Sequence, residues 1–562
     1  MDFAKTAAVR YTAVSIAILV FFAFSCSREQ PPCPGDVIAE TAMVASAHPA
    51  ASAAGLEILK KGGNAVDAAV AAAFALSIAE PHASGIGGGG FMIIKTADAP
   101  EAVMIDYRES APRRATPDYY YDPERDFDAR TSRGPDGVGI PGLVAGAALA
   151  LENYGTMSLA DVLEPAIRLA REGVAVSPNL QAVIVDEIEK IMAFPGAEAV
   201  FLPDGLPPEP GDILINEDLA LTLEIIAAEG PAAFYEGEIA DRIATEIAAL
   251  GGILDLEDLK SYRARLRRPV SGSYRGFEIV SAAPPSGGGT HLIQILNILE
   301  GFDIPAMGFG TAPYLHVLAE AMKPAFADKA AHSGDPDFHA FPIDVLTNKA
   351  YAEALRRGIR EGEARFDHRP LESVGLESEN TSHLSVVDGR GNAVALTQSI
   401  NSFFGSGIVV PGTGILLNNH MADFDEQPGG TNAAGPGRRP ASSIAPTLVF
   451  MDGQPYLVLG SPGALRIISA LAQIIVNIVD FGMGMDEAIE APRIHASGRT
   501  LSVEGRIAED VIETLRSWGH TIRTYPDFDA YFGGAQGIRI DPKSRKLHGG
   551  ADSRRDGIAV GY

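Results

Sequence analysis

The sequence predicts an α+β fold of layered sheets with helices outside them. Three observations carry that prediction. From about residue 37 helical and strand signals alternate along the chain. From Thr381 onward the signals turn to short β-branched runs bounded by Gly, Asp and Asn. The chain of 562 residues is 46% apolar, enough to bury a large core. Helices and strands mixed in this way pack as stacked layers.

The elements follow in order. Residues 1–25 have the plan of a secretory signal: Lys5 and Arg10, the apolar run "YTAVSIAILVFFAF", then small residues at "SCS". The run is too short to span a membrane comfortably. Cleavage after Ser25 would expose Cys26 for lipid attachment, as in a bacterial lipoprotein, although Ala23 stands where such signals usually carry Leu. Export to the periplasm or cell envelope is therefore expected, with a possible lipid anchor at Cys26. Residues 26–36 read as a tether. It holds Cys33, the only other cysteine, so the body has neither disulfides nor thiolate metal ligands. "AASAAGLEILKKGGNAVDAAVAAAFALSIAEP" reads as two Ala-rich helices, the first stopped at Gly62-Gly63 and the second ending near Ser77. "FMIIKTA" and "AVMIDYRES" read as strands, and "PGLVAGAALALENYG", "SLADVLEPAIRLAREG" and "EDLALTLEIIAAEG" as helices. Past Thr381, "SHLSVVD", "AVALTQS", "SSIAPTLVFMD" and "PYLVLGS" read as strands, and "ALRIISALAQIIVNIVDFG" as a long apolar helix. No later run is apolar and long enough for a membrane span.

Charge narrows the function. The 72 acidic against 45 basic side chains give −27, with no basic stripe for phosphates, which argues against nucleic acid as a partner. "GIGGGG" at Gly85–Gly90 has the spacing of a dinucleotide-binding loop. The order around it is helix then strand, the reverse of what a pyrophosphate at a helix N-terminus needs. Close approach to a neighbouring backbone explains these glycines better. "APPSGGGTH" at Ala283–His291 is a weaker nucleotide signal still. No cofactor and no metal is expected.

"ENTSHLSVVDGRGNAVALTQSIN", Glu379–Asn401, holds the chemical question. "GRG" between two strands predicts a hairpin with Val387 opposite Asn392 or Ala393, and hence Thr381 opposite Gln398 or Ser399. Cross-strand hydroxyl pairs are ordinary on their own. A threonine nucleophile needs a base, and His383, two residues on, is not obviously within reach. If the chain were cut between Asn380 and Thr381, the new α-amine, titrating near ~8, could serve as that base. The turn "GSPGA", Gly460–Ala464, joins a strand to a helix. It reads equally as a plain helix start or as backbone N–H groups placed to hold an oxyanion.

These stretches add up. "NTSHLSVVDGRGNAVALTQSIN", "GSGIVVPGTGILLNN", "MADFDEQPGG", "GRRPASSIAPTLV" and "GSPGALRII" closely resemble the small subunit of γ-glutamyltransferases (γ-glutamyltranspeptidases). "MVASAHPAASAAGLEILKKGGNAVDAAVAAAFAL", "GIGGGGFM", "IDYRESAP", "GIPGLVAGAALALENYG" and "PPSGGGTHLIQILNILE" resemble the large subunit. The resemblance runs from about residue 40 to Tyr562, in the family's order. It implies a four-layer αββα sandwich of two stacked, mainly antiparallel sheets, the N-terminal-nucleophile hydrolase fold. It also implies a precursor that cuts itself at Asn380–Thr381 into a large subunit, 37–380, and a catalytic small subunit, 381–562, forming one globular unit.

The resemblance carries roles with it. Thr381 would attack the γ-amide carbonyl of glutathione or another γ-glutamyl compound, form an ester, and pass the glutamyl group to water, an amino acid or a peptide. Ser399 matches a hydroxyl beside the nucleophile, and Gly463 and Ala464 the oxyanion donors, with Gly usual where Ala464 stands. Arg108 matches the α-carboxylate grip, which suits a guanidinium fork. An Arg at a strand end is otherwise a surface ion pair. Ser442 and Ser443 match hydroxyls on the same carboxylate, while Asn401 and Asp423 match groups on the α-ammonium. Taken alone, Asp423 reads as a solvated loop acid. His420 replaces the family's usual Gln or Glu, and Ala422 an acid, so preference is expected to drift toward acyl groups without a free α-amine. The short loop from Asp423 to Pro440 resembles members without a lid. Two alternatives stand beside this reading: a glutaryl or cephalosporin-type acylase, and an inactive peptide-binding lipoprotein.

Overall fold

The computed structural model describes residues 35–366, apart from 123 and 125, and residues 380–562. The expected signal peptide, the tether as far as residue 34 with Cys26 and Cys33, and the last residues before Asn380 lie outside the described residues. Two seven-stranded sheets organise the remainder. One runs in the spatial order Ile558–Gly561, Met43–Ser46, Ser382–Val387, Ala393–Ser399, Gly89–Lys95, Val103–Asp106, Arg265–Arg267. The other runs Val37–Ala39, Leu547–Ala551, Gln536–Ile540, Gln454–Gly460, Thr447–Met451, Phe277–Ser281, Val270–Tyr274. Neighbours in both sheets are antiparallel, and both sheets draw strands from each side of Asn380.

Period-2 alternation shows how the layers form. Met43, Ala45, Phe91, Ile93, Ala393 and Ala395 share a core with Leu448, Val458 and Ile538 of the second sheet. Their neighbours Val44, Met92, Ile94, Val394 and Leu396 point the other way, into a core with the Ala-rich helices. Helices Pro49–Lys60, Ala65–Ala79, Leu143–Tyr154 and Leu159–Glu172 cover that outer face. Gly288–Leu299, Ala312–His332 and Arg466–Val479 contribute to the core on the far side. The result is the four-layer αββα arrangement. Helix Ala65–Ala79 is buried on every side, so its start is fixed by a capping box between Asn64 and Asp67 rather than by an amphipathic stripe.

Three boundaries differ from the sequence reading. The strand expected through "AVMIDYRES" ends at Asp106, which frees Arg108–Ser110 to turn inward. The strand expected from Ser442 begins only at Thr447, because Ser442 instead bridges to Ser286. The second Ala-rich helix runs on to Ala79. The glycine run acts in backbone packing: Gly89 and Gly90 begin a strand and pair with Ser399 and Gln398. A Cβ at Gly90 would lie 2.2 Å from the Thr397 carbonyl oxygen, so only glycine lets the strands close.

Candidate active site

The site is built on the central hairpin. Val387 pairs with Ala393 and Ser382 with Gln398, which places Thr381, one step before the strand, opposite Ser399. The loop between them is held by Asp388, which accepts from the amides of Arg390 and Asn392. Two hydroxyls converge on the carbonyl oxygen of Asn380: Thr381 Oγ1 donates to it at 2.6 Å and Ser399 Oγ at 2.7 Å. The Asn401 amide donates in turn to Ser399 Oγ at 2.9 Å, which leaves the serine proton for the carbonyl. Asn401 holds this position at φ 79°, a left-handed conformation that Asn tolerates better than most residues. A carbonyl with two O–H donors is polarised toward attack at its carbon.

His383 is no base for it. The ring lies between the sheets, Nδ1 2.7 Å from Thr397 Oγ1 and Nε2 3.0 Å from Ser385 Oγ, and burial pushes its pKa down to about 3. A Cβ at Gly460 would lie 2.2 Å from Nδ1, so the second sheet presses directly on this ring.

A small cleft opens beside Thr381. Ser399, Asn401, Arg108, His420, Asp423, Ser442, Ser443 and Ala464 line it, with Ile444 and Ile467 as apolar walls. Gly463 is adjacent to the lining, and Asn380 is buried behind Thr381. Residues drawn from both sides of Asn380 thus meet in one cavity, although Cys26 lies outside the described residues.

Arg108 is buried, 1% exposed, which overturns its reading as a surface ion pair. Its Nε donates to the Pro440 carbonyl at 3.3 Å, and its Nη2 to the Ala441 carbonyl at 3.1 Å and to the Asp423 carboxylate. Asp423 is therefore no solvated loop acid; its side chain is 8% exposed and paired with Arg108. The two groups that the resemblance assigns to opposite ends of an amino acid are thus paired with one another across the cleft. Behind them Asp106 accepts the Arg108 amide at 3.0 Å and ion-pairs with Arg439 and Arg267.

The second glycine run positions the serines. Gly288 opens a helix so close to the chain that a Cβ would lie 2.4 Å from the Ser443 carbonyl oxygen. The Gly287 amide donates to the Ser442 carbonyl at 2.9 Å, and Ser286 Oγ to that of Ile444 at 2.6 Å. On the opposite wall Gly463 and Ala464 take φ of 122° and 52° just before helix Arg466–Val479. Ala464 carries backbone strain there that glycine would not.

Sequence reasoning missed Glu109. Fully buried next to Arg108, it lies 2.9 Å from His420 Nδ1 and 3.7 Å from Arg108 Nη1, without an aligned hydrogen bond to either of its oxygens. Burial pushes its carboxyl up to about 8 against the pull of Arg108, and burial drives His420 well below its ordinary value. Its only sequence signal was its place beside Arg108 in "DYRES". Among the described residues one group, His316, Glu320 and His520, has metal-ligating types close together, away from the cleft. There His316 Nδ1 meets His520 Nε2 at 2.8 Å and Glu320 pairs with Lys323, so the donors already satisfy one another.

The pattern of the gamma-glutamyltranspeptidase family matches residues 51–562. The chain belongs to that family. Among relatives of the family it is 42% identical over 543 residues to a glutathione hydrolase proenzyme of Escherichia coli, covering 94% of this chain and 93% of that protein. It is 43% identical over 544 residues to an acylase ACY 1 proenzyme of a Pseudomonas species, covering 96% and 95%. Its fold is similar to the crystal structure of a cephalosporin acylase from Bacillus halodurans, with a TM-score of 0.87, 32% identity and coverage of 96% and 99%.

Proposed function

We propose that this enzyme is a self-processing γ-glutamyltransferase and glutathione hydrolase with Thr381 as its nucleophile. The observation that carries the reading is the Asn380 carbonyl, which receives both the Thr381 and the Ser399 hydroxyls beside a cleft lined by Arg108 and Asp423. In the precursor, Thr381 Oγ1 attacks the Asn380 carbonyl carbon, the peptide bond to the Thr381 nitrogen breaks, and water hydrolyses the resulting ester. The large subunit, 37–380, then ends at Asn380, and the small one, 381–562, begins with a free α-amine. That amine, titrating near ~8, takes the Thr381 hydroxyl proton in catalysis. The γ-carbonyl of a donor such as glutathione replaces the Asn380 carbonyl, and the Gly463 and Ala464 amides and Ser399 face its oxyanion. For the amino-acid end of the donor, Arg108 with Ser442 and Ser443 suits the carboxylate, while Asn401, His420 and Asp423 suit the ammonium. Donor binding on this reading opens the Arg108–Asp423 pair. Attack of water or of an amino-acid or peptide amine on the γ-glutamyl ester completes hydrolysis or transfer.

A second reading, amide hydrolysis of glutaryl or cephalosporin-type acyl groups at the same Thr381, is favoured by His420 in the ammonium region and by the likeness to acylases. We also infer export, from the basic-then-apolar residues 1–25, with Cys26 as an acceptor for lipid.

The deciding experiment combines a denaturing gel with a γ-glutamyl-anilide assay, with and without a dipeptide acceptor. Wild type should show two bands and release the aniline. Thr381→Ala should remain a single chain. Cleavage of that variant at the same bond would assign the cut to an outside protease, and a mature enzyme that turned over only glutaryl anilide would make it an acylase.

A further inference from the structure

His420 meets the cleft by one edge and Glu109 by the other. Nδ1 is turned inward, 2.9 Å from Glu109 Oε1, so Nε2 is the ring nitrogen left for the cleft. The backbone is fixed by the His420 amide, which donates to Asn418 Oδ1 at 3.0 Å, while Asn418 Nδ2 donates to the carbonyls of Gly87 and Gly139. Glu109 sits in a space cleared by two glycines. A Cβ at Gly89 would lie 2.9 Å from its Oε2, and one at Gly139 2.9 Å from its Cβ. Both Glu109 oxygens and His420 Nδ1 lack an aligned partner, and at 2.9 Å the buried carboxyl and the buried imidazole lie within reach of one another.

We propose that Glu109 and His420 form one proton-sharing pair that decides whether the cleft offers an acceptor or a donor to the α-substituent of the acyl group. The proposal rests on the functional reading above, in which that substituent lies beside His420. With the shared proton present, on either atom, His420 keeps hydrogen on Nε2 and shows the cleft a donor, which disfavours an α-ammonium. With that proton gone, Nδ1–H donates to ionised Glu109, and Nε2 becomes an acceptor for the ammonium. Glu109 is a positioning residue here: it acts on the substrate only through His420. Binding of a γ-glutamyl donor expels the shared proton to solvent, whereas a glutaryl group, with the same chain and carboxylate but no amine, does not require its loss.

Burial, more than the surrounding charges, brings the titration near neutrality. Arg108 stabilises ionised Glu109, helped by Arg439 and opposed by Asp106 and above all by burial, with the balance at about 8. On the His420 side burial and then Arg108 oppose a positive ring, and Asp423 favours it. Tyr107, Tyr235 and Tyr262, which also face Glu109, are pushed up from their ordinary values by burial and stay neutral.

The test is the ratio of kcat/KM for γ-glutamyl-p-nitroanilide to that for glutaryl-p-nitroanilide, measured on the mature enzyme from about pH 5.5 to about pH 7.5. Both substrates use the same nucleophile and base, so the Thr381 amine cancels from the ratio. The wild-type ratio should rise about tenfold or more across that range, since the acceptor form of a group titrating near ~8 grows about tenfold per unit below it. Glu109→Gln and His420→Gln should each give a flat ratio, with two bands on a gel reporting that each variant folded and matured. A flat wild-type ratio overturns the proposal, as does a Glu109→Gln enzyme that keeps the wild-type slope. Should Glu109→Gln fail to mature, wild type and His420→Gln decide alone: a retained slope in His420→Gln overturns the pair. No γ-glutamyl turnover at any pH would instead overturn the functional reading, and the pair with it.

Discussion

Replacing Ser399 with alanine should slow self-cleavage far more than it disturbs the fold. Ser399 Oγ donates to the Asn380 carbonyl oxygen at 2.7 Å, the atom on which negative charge would develop in the proposed attack by Thr381. Loss of one preorganised donor to such an oxygen costs about 3 kcal/mol in the transition state, or about 10²-fold in rate. The ground state loses less, because the freed Asn401 amide forfeits one neutral hydrogen bond worth ~1 kcal/mol. The assay is a time course of purified precursor on a denaturing gel, from which a first-order rate for appearance of the two subunits is taken. Ser399→Thr keeps the hydroxyl and should mature within about tenfold of wild type, a loss of under ~1.4 kcal/mol. Cleavage of Ser399→Ala at the wild-type rate would show that the contact to the carbonyl is incidental and that the oxyanion is held elsewhere.

Arg108→Lys replaces a fork by a point charge, so the donor KM should rise about tenfold or more while maturation stays near wild type; an unchanged KM would remove Arg108 from donor recognition. Ala464→Gly should relieve the left-handed strain at φ 52° and raise stability by ~1 kcal/mol, read as a higher Tm, because glycine adopts that angle freely. A lower Tm would mean that packing of the alanine methyl outweighs the strain. His383 is held neutral, with a folded value of about 3 against ~6.5 unfolded. Below ~6.5 the unfolded chain therefore binds the extra proton, and the stability contributed by the neutral ring falls away toward about pH 3. In His383→Gln that loss is absent, so the stability gap between wild type and variant should narrow by ~1.4 kcal/mol per unit as pH falls through this range. A gap that does not change with pH would mean the ring is already charged.

What was legible in the sequence follows from local rules. Alternation along "SHLSVVD" and "AVALTQS" narrows the hairpin register to Thr381 opposite Gln398 or Ser399 without any knowledge of the rest of the chain, and the ladder itself selects Ser399. The glycine run was legible as close packing because the element order around it contradicts a phosphate loop. What escaped were properties set by partners distant in sequence. Asp423 looks solvated until the turn His420–Asp423 carries it onto Arg108. Glu109 has no signal of its own, since only the fold brings His420 against it and clears the space with Gly89 and Gly139. The strand limits near Arg108 and Ser442 escaped for a related reason: β-branched residues announce a strand, whereas backbone contacts from elsewhere decide where it stops.

The weave of the two sheets has a consequence for the severed molecule. In the first sheet Ser382–Val387 lies between Met43–Ser46 and the Ala393–Ser399 strand, which itself adjoins Gly89–Lys95. A break at Asn380–Thr381 therefore frees no piece, since each segment supplies the missing ladder partners of the other. Intact, the chain can unfold and return as one molecule, with its halves tethered at a high effective concentration. Once cut, the same unfolding yields two fragments that must find each other in dilute solution, each exposing unpaired strand edges prone to wrong association. The proposed cleavage would thus turn a recoverable fold into one kept only by the height of its barrier to opening.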